Sequence, residues 1–315
     1  MFIQQILHKP ELSKADIVCL LNATGEDMEL LFNHAARIKQ QYIGNTVHLR
    51  ALVELSNSCE KDCYYCGIRK SNSNVHRYSI SENEVLEVIK YAYENGYGSV
   101  ALQSGEIQSN AFTEKITRIL QKTSKLTHGE LGVTLSCGEQ TEETYRKWME
   151  AGANRYLLRI ETSNPELYRK LHPNDDIHRF ERRLEALEML KKTGYQTGTG
   201  VMIGLPFQTF ENLADDLLFM KQFDIDMCGM GPYIEHHETP LFAYKDSLMP
   251  LKERFNLSLK MNAILRILMP DINIAATTAL QTIEKNGREQ AIQIGANVLM
   301  PNITPRKYRD DYFLY

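Results

Sequence analysis

A chain of 315 residues exceeds the common single-domain size, yet one α/β barrel can span that length around a single core. Apolar residues at 43%, charged residues at 24% and a formal net charge of −4 exclude a disordered chain and argue against a surface that tracks nucleic-acid phosphates. The start, MFIQQILHKPELSK, lacks the features of a secretory signal and no run of 18 apolar residues occurs, so a cytoplasmic protein without membrane or nucleic-acid partners is expected.

Helical periodicity opens the chain. Ile17, Leu20 and Leu21 recur at three-to-four spacing within residues 13–23, and Leu30, Leu31, Ala35 and Ile38 do so within 26–41. Residues 1–45 therefore read as an N-terminal helical extension to a domain covering 46–315. After Gly44-Asn45 the pattern alternates between short β-rich runs and amphipathic helices. Eight strands are predicted, at residues 47–54, 99–103, 132–136, 155–159, 196–202, 227–231, 272–276 and 297–300. That number closes a parallel (β/α)8 TIM barrel, with an open doubly wound sheet as the alternative. Between the strands, Ser81-x-x-Glu84 forms a capping box before an apolar face of Val85, Leu86, Ile89, Ala92 and Tyr93, and Gly96 supplies a left-handed stop. Asn164-Pro165 starts another helix and Thr193-Gly194 ends the next. No low-complexity linker marks an internal boundary after residue 45.

Polar residues fall at the carboxyl ends of the predicted strands: Glu54 and Ser56, Gln103 and Glu106, Ser136 and Glu139, Arg159 and Glu161, Gly204, Tyr233, Thr277 with Thr278, and Asn302. In a barrel these ends share the face that carries the active site.

Of six cysteines, Cys59, Cys63 and Cys66 form C-x3-C-x2-C within Ser58–Gly67, in the loop after the first strand. A cytosolic group of this kind points to metal rather than disulfides. Three thiolates from one loop can each hold one iron of a [4Fe-4S] cubane and leave the fourth iron open. A zinc site completed by His48 or His76 is the alternative, although the sequence offers no second cysteine pair for it. Cys19 and Cys228 lie on apolar faces and read as core, and Cys137 reads as a small buried hydrophobe.

The cysteine spacing with an intervening aromatic resembles the radical S-adenosylmethionine enzymes. Gln103-Ser104-Gly105-Glu106, the glycine-rich Gly198–Gly204 and Arg183 on a following helix fit the same pattern. The resemblance implies that the open iron chelates S-adenosylmethionine, whose reductive cleavage gives a 5′-deoxyadenosyl radical. It further implies that Tyr65 packs on the adenine and that Met202 and Ile203 supply a backbone strip beside it. Gly105 and Glu106 would receive the methionine ammonium, with Ser136 and Glu161 toward the ribose or amino group, while Arg183 would grip the methionine carboxylate.

A closer resemblance rests on Val47–Arg50, Leu102–Glu106, Thr134–Ser136, Arg155–Arg159 with Glu161-Thr162, Gly204–Pro206, Gly231-Pro232, Ala276–Ala279 and Gly295–Asn302. Together these segments, spanning roughly 40–315, look like the HydE family of [FeFe]-hydrogenase maturases. Biotin synthases and methylornithine synthases are the relatives to separate from it. HydE-like activity would mean radical attack on a cysteine-bound iron carbonyl cyanide substrate. The implied partners are the maturases HydG and HydF and a reductant such as ferredoxin or flavodoxin, with the protein itself a monomer. Arg159, Thr277 and Thr278 would form an anion-binding pocket, and Gln103, Tyr312 and Tyr315 would line the same cavity. With no cysteine after Cys228, no auxiliary cluster is expected. A scaffold that only stores a cluster is the non-enzymatic alternative.

Overall fold

Period-two patterning and helical capping together generate the architecture, seen in a computed structural model that describes residues 2–312. Three helices come first, α1 (Phe2–Leu7), α2 (Lys14–Leu21) and α3 (Gly25–Tyr42). The second and third match the sequence periodicity, whereas α1 carries too short a pattern to be read from sequence. The chain then alternates through β1 (His48–Ser56), α4 (Glu82–Glu94), β2 (Ser99–Ser104), α5 (Asn110–Leu126), β3 (Gly132–Ser136), α6 (Glu142–Glu150), β4 (Arg155–Leu157), α7 (Pro165–Leu171) and α8 (Phe180–Thr193). It continues with β5 (Gln196–Thr199), β6 (Met202–Ile203), α9 (Phe210–Phe223), β7 (Met227–Cys228), β8 (Gly231–Pro232), α10 (Leu251–Leu268) and β9 (Asn273–Ala276). Two helices, α11 (Thr278–Ile283) and α12 (Gly287–Ile294), lead to β10 (Val298–Leu299) and a last turn, α13 (Arg306–Arg309).

Eight parallel strands close into a barrel in the order β1-β10-β9-β7-β5-β4-β3-β2, which rules out the open sheet. The predicted strands over 196–202 and 227–231 each break in two. Their upper parts, β6 and β8, pair only with each other, Met202 with Gly231 and Ile203 with Pro232. Between the two parts a Cβ on Gly200 would collide with the Gly229 carbonyl. Two backbones meet here with no side chain between them, and the same register runs on from Gly198–Met227 to Met202–Gly231.

Side-chain alternation places the core outside the barrel wall. Val53, Leu102, Leu135, Tyr156 and Leu158 face outward and meet Val85 and Ile89 of α4, Ile116 and Leu120 of α5, and Leu187 and Leu190 of α8, all buried. Tyr156 also packs edge-on against Tyr145 of α6 with ring centroids 5.1 Å apart, a geometry that adds to simple area burial. Capping follows the sequence: Ser81 Oγ accepts from the Glu84 N–H while Glu84 reaches back, and the Asn164 side chain accepts from Leu167 ahead of a proline. Buried α10 is covered by α2, α3, α9 and α12.

The inward rows behave differently. Arg155, Leu157 and Arg159 are half-buried while Tyr156, Leu158 and Ile160 between them are buried, and Asn273, Ala275 and Thr277 alternate likewise with Ile274 and Ala276. Inward positions of β1 to β3, such as Leu52, Ala101 and Thr134, are buried, so accessibility inside the barrel lies on the β4 and β9 sides.

Candidate functional site

The cysteine loop leaves β1 where the strand register slips between Glu54 and Ser56. Its ends are drawn together by Arg77, whose Nη1 donates to the carbonyls of Asn57 (2.6 Å) and Ile68 (2.7 Å) and whose Nη2 donates to those of Arg69 (2.7 Å) and Asn72 (3.2 Å). Asn57 adds bonds to the His76 carbonyl (2.8 Å) and from the Tyr78 N–H (2.8 Å). The loop is therefore pre-shaped by protein contacts. No sequence motif singles out Arg77.

Burial raises all three thiols, with Cys66 pushed up to about 12 and Cys63 well above its ordinary value, and neighbouring cysteines raise both further. Backbone N–H groups of Lys61 and Glu106 oppose this at Cys59, whose sulfur accepts from Glu106 N at 3.3 Å. Three clustered thiols that resist ionisation in one another's company are a donor set that needs a strong local cation, as iron supplies. Neither histidine of the zinc alternative joins them. His48 begins β1, at the far end of the strand, and exposed His76 pairs with Asp311 at 3.0 Å.

Gly105 presses against this loop. Its N–H donates to the Ser56 carbonyl (3.0 Å), and a Cβ there would collide with the Ser58 carbonyl. Glu106, next along, enters a buried ionic network. Lys61 pairs with Glu106 (3.2 Å) and Glu139 (2.9 Å), and Glu139 also accepts from Arg182 (3.0 Å) and Arg183 (2.6 Å). Burial and the Glu139 charge raise the Glu106 carboxyl, whereas Arg183 and Lys61 overcome burial and hold Glu139 down to about 2. The Arg183 fork is partly spent inside the protein: Nε serves Glu139, Nη1 donates to the Arg159 carbonyl (2.6 Å), and Nη2 stands 3.6 Å from Glu106 without a hydrogen bond. Sequence reading noted Glu139 only as a polar strand end, since nothing local links it to Lys61 or Arg183.

On the opposite wall the backbone itself is special. Glu161 has φ 66°, a left-handed conformation that costs a side-chain-bearing residue on the order of 1–3 kcal/mol. Its N–H donates to the Gly200 carbonyl (3.0 Å) and its carbonyl accepts from Met202 N (3.2 Å), pinning it between β5 and β6. The buried carboxylate stands 3.0 Å from Arg159, yet Glu161 Oε2 and Arg159 Nε make no hydrogen bond. Thr134 Oγ1, Thr277 Oγ1 and Tyr233 OH are likewise buried without a partner. Buried polar groups are normally satisfied, so donors and acceptors left over at a lumen mouth fit a polar ligand.

The remaining predicted residues fall as follows. Tyr65 packs against a small buried apolar cluster of Leu167, Leu171, Met202, Leu205, Tyr233 and Leu241, and its hydroxyl meets His172 Nε2 at 3.3 Å. Met202 belongs to that cluster, but Ile203 is buried in the main core. Ser136 pairs in register with Gln103, which puts both on the inward row, and Gln103 Nε2 donates to Tyr312 OH at 3.1 Å. Thr277 lies over Gly231, where a Cβ would strike its hydroxyl, while Thr278 opens α11 and is exposed. Tyr315 lies outside the described residues. Cys137 and Cys228 are buried in the core and Cys19 packs against it.

Two further inward residues complete the lumen. Arg50 donates to Ser99 Oγ (3.2 Å) and Met227 Sδ (3.4 Å), and neither Arg50 nor Arg155 makes an ion pair among the described residues. Burial, with Arg155 nearby, lowers Arg50 to about 10. Inward periodicity relates Arg155 to Arg159, a signal that sequence could have yielded.

Comparison with known proteins agrees with this geometry. The Radical SAM superfamily model matches residues 53–220. The chain is 48% identical over 287 residues to the [FeFe] hydrogenase maturase subunit HydE of Thermotoga maritima, covering 91% of this chain and 79% of that protein. It is 30% identical over 302 residues to 3-methylornithine synthase of Methanosarcina acetivorans, covering 95% and 81%. The crystal structure of methylornithine synthase (PylB) superposes with a TM-score of 0.83 at 26% identity, covering 98% of this chain and 88% of that one. The three-thiol loop, the (β/α)8 barrel and these similarities lead to one assignment: the chain belongs to the radical SAM superfamily, whose members use a [4Fe-4S] cluster and S-adenosylmethionine, and within it to the HydE maturase family.

Proposed function

We propose that this chain is a radical S-adenosylmethionine enzyme that acts in assembly of the [FeFe]-hydrogenase diiron subcluster. The observation that carries the reading is the set of inward arginines, Arg50 and Arg155 without an ion pair among the described residues and Arg159 paired with Glu161, beside two unpartnered threonine hydroxyls, in a chain 48% identical to a HydE maturase. A bound [4Fe-4S] cluster with S-adenosylmethionine supplies one-electron reductive cleavage of the sulfonium and a 5′-deoxyadenosyl radical.

Cys59, Cys63 and Cys66 hold the cluster, and the pre-shaped loop sets their positions. Tyr65 and Met202, neighbours in one apolar cluster, would flank the adenine, with Ile203 fixing the strand beneath it. Gly105 lets the backbone approach closely, and Glu106, Ser136 and Glu161 present acceptors to the amino and ribose groups. Arg183 Nη2 is the remaining donor for a carboxylate. Farther in, Arg159 and Thr277 orient an anionic substrate, with Thr278 at the helix start above them, and Gln103 and Tyr312 close one side of the lumen. Three lumen arginines complement a carboxylate- or cyanide-bearing iron complex and disfavour a cationic lysine-like substrate, which argues against methylornithine chemistry.

On this reading the substrate is a cysteine-bound iron carbonyl cyanide species delivered by HydG, the product passes toward HydF, and ferredoxin or flavodoxin supplies the electron. No helix among the described residues is long and apolar enough to cross a membrane. The reading places the protein in the cytoplasm as a monomer, beside cytosolic reductants. An anaerobic maturation mixture containing apo-hydrogenase, HydF and HydG tests the proposal. Active hydrogenase is expected only when this chain and S-adenosylmethionine are added. Release of 5′-deoxyadenosine with lysine converted to methylornithine, and no hydrogenase activation, would overturn it.

A further inference from the structure

The left-handed backbone at Glu161 needs something to hold it, and the neighbouring turn shows what does. Asp216 lies on α9, outside the barrel wall, with no solvent exposure. Its Oδ1 accepts three hydrogen bonds from the residues that follow Glu161: Ser163 N (2.5 Å), Ser163 Oγ (2.7 Å) and Thr162 Oγ1 (3.3 Å). Its Oδ2 has no partner. A buried carboxylate that uses one oxygen for three donors is a clamp on the turn at 162–163. On the other side, Glu161 is fixed by Gly200 and Met202. The strained residue is thus gripped from the barrel strands and from an outer helix, so that its carboxylate keeps one orientation at the lumen mouth.

We propose that Asp216 is a positioning residue for S-adenosylmethionine binding, acting from behind the barrel wall through the backbone of Glu161. The inference rests on the reading that Glu161 contacts the cofactor. A merely structural role is the competing explanation, because Thr162 Oγ1 also accepts from Asn164 N (3.2 Å) and Asn164 caps α7. The two explanations differ in whether loss of Asp216 is felt once Glu161 is gone.

The test measures equilibrium binding of S-adenosylmethionine to cluster-loaded, oxidised protein, where no turnover occurs, with iron content and circular dichroism recorded for each variant. Asp216→Ala is expected to raise Kd about tenfold, equivalent to about 1.4 kcal/mol, with iron content unchanged. Asp216→Asn keeps an acceptor oxygen for the three donors but loses the charge and buries an unpartnered amide NH2, so it is expected to weaken binding less than Asp216→Ala does. Glu161→Ala should weaken binding by itself, and Asp216→Ala added to it should cause no further loss, the signature of residues that act as one unit. Additive losses, or a folded Asp216→Ala protein with parental affinity, would overturn the proposal. If Glu161→Ala binds normally, the reading of Glu161 fails and takes the proposal with it, whatever the Asp216 variants do. Should Asp216→Ala not fold, Ser163→Ala, which removes one of the three donors, takes its place. It is expected to weaken binding about threefold in the parent and not at all in the Glu161→Ala background.

Discussion

The two halves of the barrel mouth are built on opposite principles. Around the loops after β1, β2 and β3, charge is abundant and paired: Lys61, Glu106, Glu139, Arg182 and Arg183 are tied to one another across four segments of chain. Around β5, β7 and β9 the wall is glycine-lined and its polar atoms are left over, with Gly200, Gly229 and Gly231 beside Thr277 Oγ1 and, from the adjacent β4 end, Arg159 Nε and Glu161 Oε2. Protein groups pair the charges of the first half, while in the second several polar atoms have no hydrogen-bond partner in the protein, although Glu161 and Arg159 stand 3.0 Å apart as an ion pair. On the proposed reading the contrast separates positioning from recognition, the paired network holding the cysteine loop and the wall with leftover polar atoms meeting what the loop acts upon.

The largest expected effect comes from removing a thiol of the first half. Cys63→Ala should abolish cluster assembly and with it all cleavage of S-adenosylmethionine, seen as loss of the cluster's visible absorbance and of 5′-deoxyadenosine. A variant that keeps both would show that these cysteines are not the ligands. Next is Glu139→Gln, which leaves Lys61, Arg182 and Arg183 without their shared carboxylate. Removing one partner of a buried pair typically costs about 3–5 kcal/mol, and because Glu106 still faces Lys61 and Arg183 a denaturant titration should show a loss toward the lower end of that range, whereas a loss under about 1 kcal/mol would deny the network its structural role.

A smaller effect follows from acid. Glu139 is held at about 2 in the folded protein, below its ordinary 4.5, so its ionised form stabilises the fold in full above about pH 4.5 and loses that contribution as pH falls toward 2. Glu106, which is raised, acts above pH 4.5, where its protonated form adds stability as pH falls, and so leaves the acid limb to Glu139. Unfolding free energy should fall as pH drops from about 4.5 toward 2, and Glu139→Gln should flatten the curve there. The smallest stability effect belongs to the second half. Thr277→Val removes a hydroxyl with no protein partner and should change unfolding free energy by under about 0.5 kcal/mol. Substrate processing should nevertheless fall about tenfold with cofactor cleavage intact, one lost hydrogen bond to a charged ligand being worth about that much. A large stability loss would mean that Thr277 supports the fold.

The two halves were also unequally legible in the sequence. Period-two runs and capping signals place β2 and β3 to within a residue, and the capping box at Ser81 and Glu84 and the Asn164-Pro165 start form as the local chemistry dictates. The cysteine loop is legible because its ligands lie within one short segment. The ionic network is not, since Lys61 and Glu139 are 78 residues apart and meet only when the barrel closes. The interruption that divides β5 from β6 and β7 from β8 escapes pattern reading as well. A continuous β-rich run such as Gln196–Met202 says nothing about where its backbone will meet a neighbour with no side chain to spare. Glu161 gives no sign in sequence of its left-handed backbone, because the cause lies in strands and helices distant along the chain.

Electron paramagnetic resonance of the anaerobically reconstituted, dithionite-reduced protein, recorded with and without S-adenosylmethionine, addresses the central claim most directly. The account predicts a [4Fe-4S]⁺ signal whose shape changes when the cofactor is added, because Cys59, Cys63 and Cys66 leave one iron free to bind it. A protein that shows no such signal, or one that the cofactor leaves unaltered, would contradict the account.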